Sequence, residues 1–293
     1  MIKKLSFLLS IVVVLSCTKE EKNATNKFPQ PLTEFSDYYS EPVADKFYST
    51  KVSDTFKIFK SFPKSYHKDS TRKYPIVIIL DANAFFEQTV TQLKFDSFIG
   101  LVPSAIIIGI GYKDFPTMDS VRTRDYTYPN AIPEYEMSIS GGAPQFKKFI
   151  DDELIPKLSK EYPIDLERSV LCGHSLGGYF SLYYLLQSAE ENKYTIKNIV
   201  SASPSLHYNN RYLFDWVKNS KAVIHSSVKL YISMGSGDIA DEESKGMLDV
   251  FEQQWINKKH PGLKLKKEEY SNFGHIDAAL PGFIKGLSYV FEE

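Results

Sequence analysis

Gly173-His174-Ser175-Leu176-Gly177 constrains this chain more than any other stretch. It follows a short apolar run, Ser169-Val170-Leu171-Cys172. It precedes Tyr179-Phe180-Ser181-Leu182-Tyr183-Tyr184-Leu185-Leu186, which reads as a buried helix. A strand, a G-x-S-x-G turn and a helix in that order make a nucleophile elbow. The glycines allow a strained turn that a Cβ would obstruct. The turn lifts the Ser175 hydroxyl to the top of a sheet. It also leaves the Leu176 N–H free at a helix start, where a developing oxyanion is stabilised. Gly178 permits close approach of helix and sheet. The bland alternative is an inert serine in a glycine-rich turn, so the partners of the serine matter.

A serine hydroxyl is a poor nucleophile at neutral pH and needs a general base within hydrogen-bond reach. Behind such an elbow the partners come in the order serine, acid, histidine. The downstream histidines are His207, His225, His260 and His275. His275, in Ser271-Asn272-Phe273-Gly274-His275, lies between a strand and the last helix, at the carboxyl end of the sheet. His260 and His225 precede their strands, at the opposite end, and His207 is on the wrong segment. The acid should follow the strand ending near Met234, which points to Asp238 in Gly235-Ser236-Gly237-Asp238. Asp241, Glu242 and Glu243 are alternatives, as is a Ser–His dyad without a close acid. The acidic run also reads as a solvated helix start. The acid would hold the His275 tautomer and stabilise its imidazolium. Two oxyanion donors are expected: the N–H of Leu176 and, after the strand ending at Leu80, that of Asn83.

Short β-rich runs alternate with longer helical stretches, which predicts an α/β fold with a mostly parallel central sheet flanked by helices. Strands are expected at Tyr74–Leu80, Ser104–Tyr112, Asn198–Ala202, Ser227–Ser233 and Leu263–Tyr270, with an early antiparallel strand in Val52–Phe62. Pro144–Tyr162 reads as one amphipathic helix, and Glu242–Asn257 and Ile276–Phe291 as the last helices. Residues 206–224 have room for only a short lid, so the cap is small or missing. Tyr208, Tyr212, Phe214 and Trp216 read as ordinary packing rather than pocket lining.

The ends divide the chain into a leader (residues 1–16), a lipidated Cys17 with a polar tether (17–40), and the folded domain (41–293). Met1-Ile2-Lys3-Lys4 is a basic start, and Leu5–Leu15 is apolar but too short for a normal membrane span. Val14-Leu15-Ser16-Cys17 looks like a bacterial lipobox. Cys17-Thr18-Lys19-Glu20-Glu21 resembles the signal of surface-exposed lipoproteins in Bacteroidota. An outer-membrane lipoprotein, exposed or otherwise periplasm-facing, is expected, so a membrane is a partner through the lipid. Loss of Lys3 and Lys4 takes the formal charge from −1 to −3. That near-neutral balance, without a basic stripe, argues against nucleic acid. Of the two cysteines, Cys17 is expected to carry the lipid, in which case no intrachain disulfide can form, and Cys172 reads as a small hydrophobe. No H-E-x-x-H or clustered metal-ligand spacing occurs, so neither metal nor cofactor is expected.

Taken together, these residues resemble the esterase D/antigen 85-like branch of the α/β-hydrolases, and within it the siderophore (trilactone) esterases. The resemblance runs from about Tyr74 to Phe291. It rests on Leu80-Asp81-Ala82-Asn83-Ala84-Phe85, Ile108-Gly109-Ile110-Gly111-Tyr112, Arg122-Thr123-Arg124-Asp125-Tyr126-Thr127, Gly141-Gly142-Ala143, the elbow, Ser201-Ala202-Ser203-Pro204-Ser205 and His275. It implies an α/β-hydrolase fold and a serine esterase acting through an acyl-enzyme. Ser175 would be nucleophile, His275 base, and Leu176 and Asn83 oxyanion donors. The family usually has glycine where Ala82 stands, and its acid position varies. Arg122, Arg124, Tyr126 and His174 are expected as substrate-binding residues near the mouth, where arginine would meet an anionic catecholate or carboxylate. A salt-bridge network bracing the loop is the competing reading of the arginines. Two other functions fit the chain: a carbohydrate esterase removing feruloyl or acetyl groups, and a non-catalytic surface-binding protein on a hydrolase scaffold.

Overall fold

Tyr74–Ile79 (β3) and Ile106–Gly111 (β4) are buried along their whole length. Parallel strands covered on both faces read as continuous apolar runs, as these two do. The computed structural model describes residues 40–66, 71–238 and 246–292, all within one compact unit, Glu34–Glu293. The leader, Cys17 and most of the tether lie outside the described residues, as do Asp241, Glu242 and Glu243.

Eight strands form one sheet. Val43–Ser49 (β1) pairs antiparallel with Asp54–Ser61 (β2), which pairs antiparallel with β4. From β4 onward the sheet is parallel, through β3, Ile164–His174 (β5), Asn198–Ala202 (β6), Val228–Gly235 (β7) and Leu263–Tyr270 (β8). The order is β1-β2-β4-β3-β5-β6-β7-β8. Side chains alternate across the sheet. Val77, Ile79, Ile107, Val170 and Cys172 face Ala82–Phe98 (α1) and Ala279–Phe291 (α8). Ile76, Ile78, Ile108 and Leu171 face the opposite core with Phe146, Phe149 and Phe180. Cys172 is the buried hydrophobe expected, and burial pushes its thiol pKa up.

The expected helix over Pro144–Tyr162 is three pieces. Ala143–Lys148 (α3) runs into a π segment, Phe149–Leu154, before Ile155–Glu161 (α4). Pro156 lacks an N–H and its ring crowds the carbonyl four residues back, so the helix widens just ahead of it. Three further helices are α1, Phe115–Tyr126 (α2) and Tyr208–Asn219 (α6). Helix α6 opens with Asn209, Asn210 and Arg211 in left-handed backbone, and the Asn209 side chain bonds the Asn130 carbonyl and the Ile132 N–H. Leu176–Glu191 (α5) and Met247–Asn257 (α7) complete the set. Tyr208 is fully buried, and Tyr212 and Trp216 pack on Tyr128 and Tyr183, in line with packing roles.

Candidate active site

Ser175 joins β5 to α5 with φ 60° and ψ −121°, a conformation that L-residues rarely adopt. Such a residue costs of order 1–3 kcal/mol and persists only where its surroundings hold it. Here its N–H donates to the Ala202 carbonyl (3.1 Å), and its own carbonyl accepts from Tyr179 N–H (2.8 Å). A Cβ on Gly173 would sit 2.0 Å from the Gly177 carbonyl oxygen, so only glycine fits there.

Helices α5 and α1 start at the carboxyl ends of the neighbouring strands β5 and β3. First-turn N–H groups have no acceptor within their own helix. Leu176 is the first residue of α5 and Asn83 the second of α1, so each N–H lies in a first turn. The Asn83 side chain adds a feature that the motif did not reveal. Its Nδ2 donates to the Tyr112 carbonyl (3.1 Å) and its Oδ1 accepts from Tyr112 N–H (2.7 Å), pinning the start of α1 to the end of β4. A Cβ on Gly111 would lie 2.5 Å from that Oδ1, which explains the glycine before Tyr112.

A 3-10 turn, Ser236–Asp238, follows β7 and meets the loop after β8. Gly237 N–H donates to the Phe273 carbonyl (2.8 Å), and Asn272 N–H to Ser236 Oγ (2.9 Å). These bonds bring Asp238 to His275, with Nδ1 and Oδ1 2.7 Å apart. An ionised carboxylate only accepts, so Nδ1 carries the proton and Nε2 keeps the free lone pair of a base. Burial is the largest influence on the Asp238 pKa and pushes it up, but the hydrogen bonds and positive field of His275, with further hydrogen bonds from Ser203 and the Gly235 N–H, together hold the carboxyl below its ordinary value. Beside the pair lies a cavity of about 80 Å³, lined by Ser205, His207, Met234 and Met247 among others. His260 accepts from Ile224 N–H at the far end of the sheet, as its position before β8 implies.

His174, expected near the mouth as a substrate contact, is instead buried. It is 2% exposed, packs edge-on against Phe85, and its Nε2 lies 2.8 Å from the His275 carbonyl oxygen. A carbonyl only accepts, so His174 is the neutral Nε2–H tautomer and holds the backbone of His275. Burial lowers its pKa from 6.5 to about 4. The folded chain therefore binds fewer protons than the unfolded chain between those values, and stability rises with pH there. The contribution is complete above pH 6.5 and is lost as pH falls towards 4. We expect this residue to lower stability by roughly 2 kcal/mol at pH 5 relative to pH 7. His174→Gln, which keeps an N–H donor, should flatten that slope in urea unfolding at the two pH values. An unchanged slope would refute the assignment.

The other three residues expected near the substrate are likewise engaged within the fold. Arg122 donates two parallel bonds to Asp81, from Nε (2.9 Å) and Nη2 (2.7 Å), and a third to the His174 carbonyl (3.2 Å). It thus ties the Asp81-Ala82-Asn83 turn to the strand that carries the elbow. Burial lowers the Arg122 pKa, but Asp81 more than offsets this and raises it overall. Arg124 pairs with Asp125 and Asp54. Tyr126 is fully buried, and its hydroxyl accepts from Asp81 N–H (3.2 Å). The arrangement matches a bracing network, because the Arg122 guanidinium is taken up by buried Asp81, and that of Arg124 by buried Asp125 and partly exposed Asp54.

Residues 49–254 match the family model described as "Putative esterase". The chain belongs to that esterase family. Among its relatives is a ferri-bacillibactin esterase from Bacillus subtilis, 29% identical over 244 residues, or 78% of this chain and 82% of that one. A siderophore enterobactin esterase from Emericella nidulans is 28% identical over 282 residues, covering 81% and 91% of the two chains. The crystal structure of a BES protein from Bacillus cereus superposes with TM-score 0.73 at 26% identity, covering 87% and 96%. The fold is accordingly that of the α/β-hydrolases, and the esterase is a serine carboxylic ester hydrolase.

Proposed function

We propose that this esterase hydrolyses trilactone esters of catecholate siderophores, using Ser175, His275 and Asp238. The observation that carries the site is the 2.7 Å contact between His275 Nδ1 and Asp238 Oδ1, at the same end of the sheet as the strained Ser175. Ser175 Oγ attacks the ester carbonyl while His275 Nε2 takes its proton. The N–H groups of Leu176 and Asn83 stabilise the oxyanion. His275 returns the proton to the departing alkoxide, leaving Ser175 acylated. Water then attacks the acyl carbon, gives its proton to His275, and releases the acid as Ser175 Oγ regains a proton. Every step uses groups of the chain and water, with no part for a cofactor. The substrate class is supported by the siderophore esterases that align with 78% and 81% of this chain.

A lipid on Cys17, with the polar tether up to residue 40, would hold the domain at the outer membrane, on its exposed face. Recovery of a Cys17→Ser chain with the membranes, as for the wild type, would refute the anchor. Side-by-side hydrolysis of a catecholate trilactone, a feruloylated arabinoside and a short-chain nitrophenyl ester tests the substrate. The trilactone should show the highest kcat/KM, by about 100-fold or more, since binding energy away from the scissile bond is available only to the cognate ester. Preference for the feruloylated sugar would move the enzyme to polysaccharide breakdown. No serine-dependent turnover of any of the three would leave a binding protein.

A further inference from the structure

We propose that Ser205 is a further catalytic residue, a second hydroxyl that donates to the Ser175 oxygen as that oxygen gains charge. The proposal rests on Ser175 as the nucleophile. Its basis is the path of the chain between β6 and α6. Ser203 adopts φ 41° and its N–H donates to the Ser233 carbonyl (2.7 Å). With Pro204 next, this turn directs the chain back across the elbow. Ser205 N–H then donates to the Ser175 carbonyl (3.2 Å), and Ser205 Oγ lies 3.4 Å from Ser175 Oγ. Ser205 is therefore set against the nucleophile by both its backbone and its side chain. It is 7% exposed and lines the cavity shared with His275 and Asp238. Among the described residues, Ser175 Oγ is the hydrogen-bond partner of its hydroxyl.

The distance is the informative quantity. Neutral O–H···O bonds centre near 2.7–2.8 Å, so a contact of 3.4 Å contributes little in the resting enzyme. Hydrogen bonds to a charged oxygen contract and strengthen. Only an interaction that is stronger in the transition state than in the ground state accelerates the chemistry. As Ser175 passes its proton to His275 and the Oγ–C bond forms, the carbonyl π pair moves onto the oxygen facing Leu176 and Asn83. Ser205 keeps its own proton and donates to Oγ while the Oγ charge is largest. In the acyl-enzyme that oxygen is an ester oxygen and a poor acceptor, so the contact lapses. In deacylation Oγ leaves with the Oγ–C pair and takes a proton from His275, and Ser205 donates again.

The test compares the wild-type full chain with Ser205→Ala, Ser205→Thr and Ser175→Ala. It measures nitrophenyl ester kinetics across pH, melting temperature, and the rate at which an alkyl fluorophosphonate labels Ser175. Labelling isolates attack by the nucleophile. Ser205→Ala should lower both kcat and the labelling rate about 10- to 100-fold, as expected for a lost bond to a charged group. KM, the pH midpoint of kcat/KM and the melting temperature should hold, and Ser205→Thr should recover most of the loss. Wild-type rates in Ser205→Ala would overturn the proposal. So would a loss that follows a shifted pH midpoint and a lower melting temperature and that Thr does not rescue, since that is a structural role. If the wild type is not labelled at Ser175 and Ser175→Ala turns over normally, the nucleophile assignment itself fails. That result appears before any change at Ser205 is made.

Discussion

Ser175→Ala in the purified protein is expected to lower kcat for ester hydrolysis by about 10⁶-fold, and His275→Ala by a similar factor. The two act as one unit, because a hydroxyl without its base and a base without its hydroxyl are equally unproductive. The double variant should therefore be no worse than either single one. Asp238→Asn should lose less, about 10⁴-fold. An amide at that position removes the acceptor that keeps the proton on His275 Nδ1, favouring the tautomer whose Nε2 is already protonated. The donors at Leu176 and Asn83 stay in place, so residual activity above the uncatalysed rate should persist in all of these variants. Steady-state kinetics on the four proteins decide the matter. Losses that multiply in the double variant, or full activity of Ser175→Ala, would show that the residues do not form a catalytic unit.

Arg122→Met should cost about 3–5 kcal/mol of stability, because it leaves the Asp81 carboxylate buried without a partner. The Asp81 side chain is 2% exposed and that of Arg122 15%, so water cannot take over the lost contacts. Lysine would not substitute well, since a point charge cannot make the two parallel bonds of the guanidinium. Activity should fall as well. The same guanidinium bonds the His174 carbonyl beside Ser175, and Asp81 stands two residues before Asn83. Adding Asp81→Leu to Arg122→Met should restore part of the stability by removing the stranded charge, without restoring activity. Urea unfolding of the two singles and the double closes this cycle. A loss under 1 kcal/mol in Arg122→Met would refute the bracing role.

The contrast between Ser175 and Arg122 shows what kind of information the chain carries locally. The elbow is readable because its requirements lie within a few consecutive residues: a strand, a glycine whose Cβ would collide, a serine and a helix. The positions of His275 and Asp238 are readable because an acid and a base paired with such a serine must follow particular strands. Their actual contact depends on the loops after β7 and β8 meeting. Arg122 invited a surface role because nothing near it in sequence shows that its partner, 41 residues away, faces inward. The same holds for Tyr126 and His174, whose burial follows from packing rather than from any periodic pattern. Strand β1 is not legible in the sequence because Val43–Ser49 is exposed for most of its length, and pairing with β2 rather than hydrophobic alternation makes it a strand.

By itself, then, the sequence determined the α/β class, the glycine-flanked turn at Ser175, and the end of the sheet at which Ser175, Asp238 and His275 lie. These depend on backbone sterics and on chain order. Only the tertiary structure decided that Asp238 meets His275, that His174 and Arg122 are tied by hydrogen bonds within the fold, and that Ser205 lies beside Ser175. Those outcomes rest on hydrogen bonds between residues from 30 to 101 positions apart, and such contacts exist only once the sheet has set its strand ends side by side.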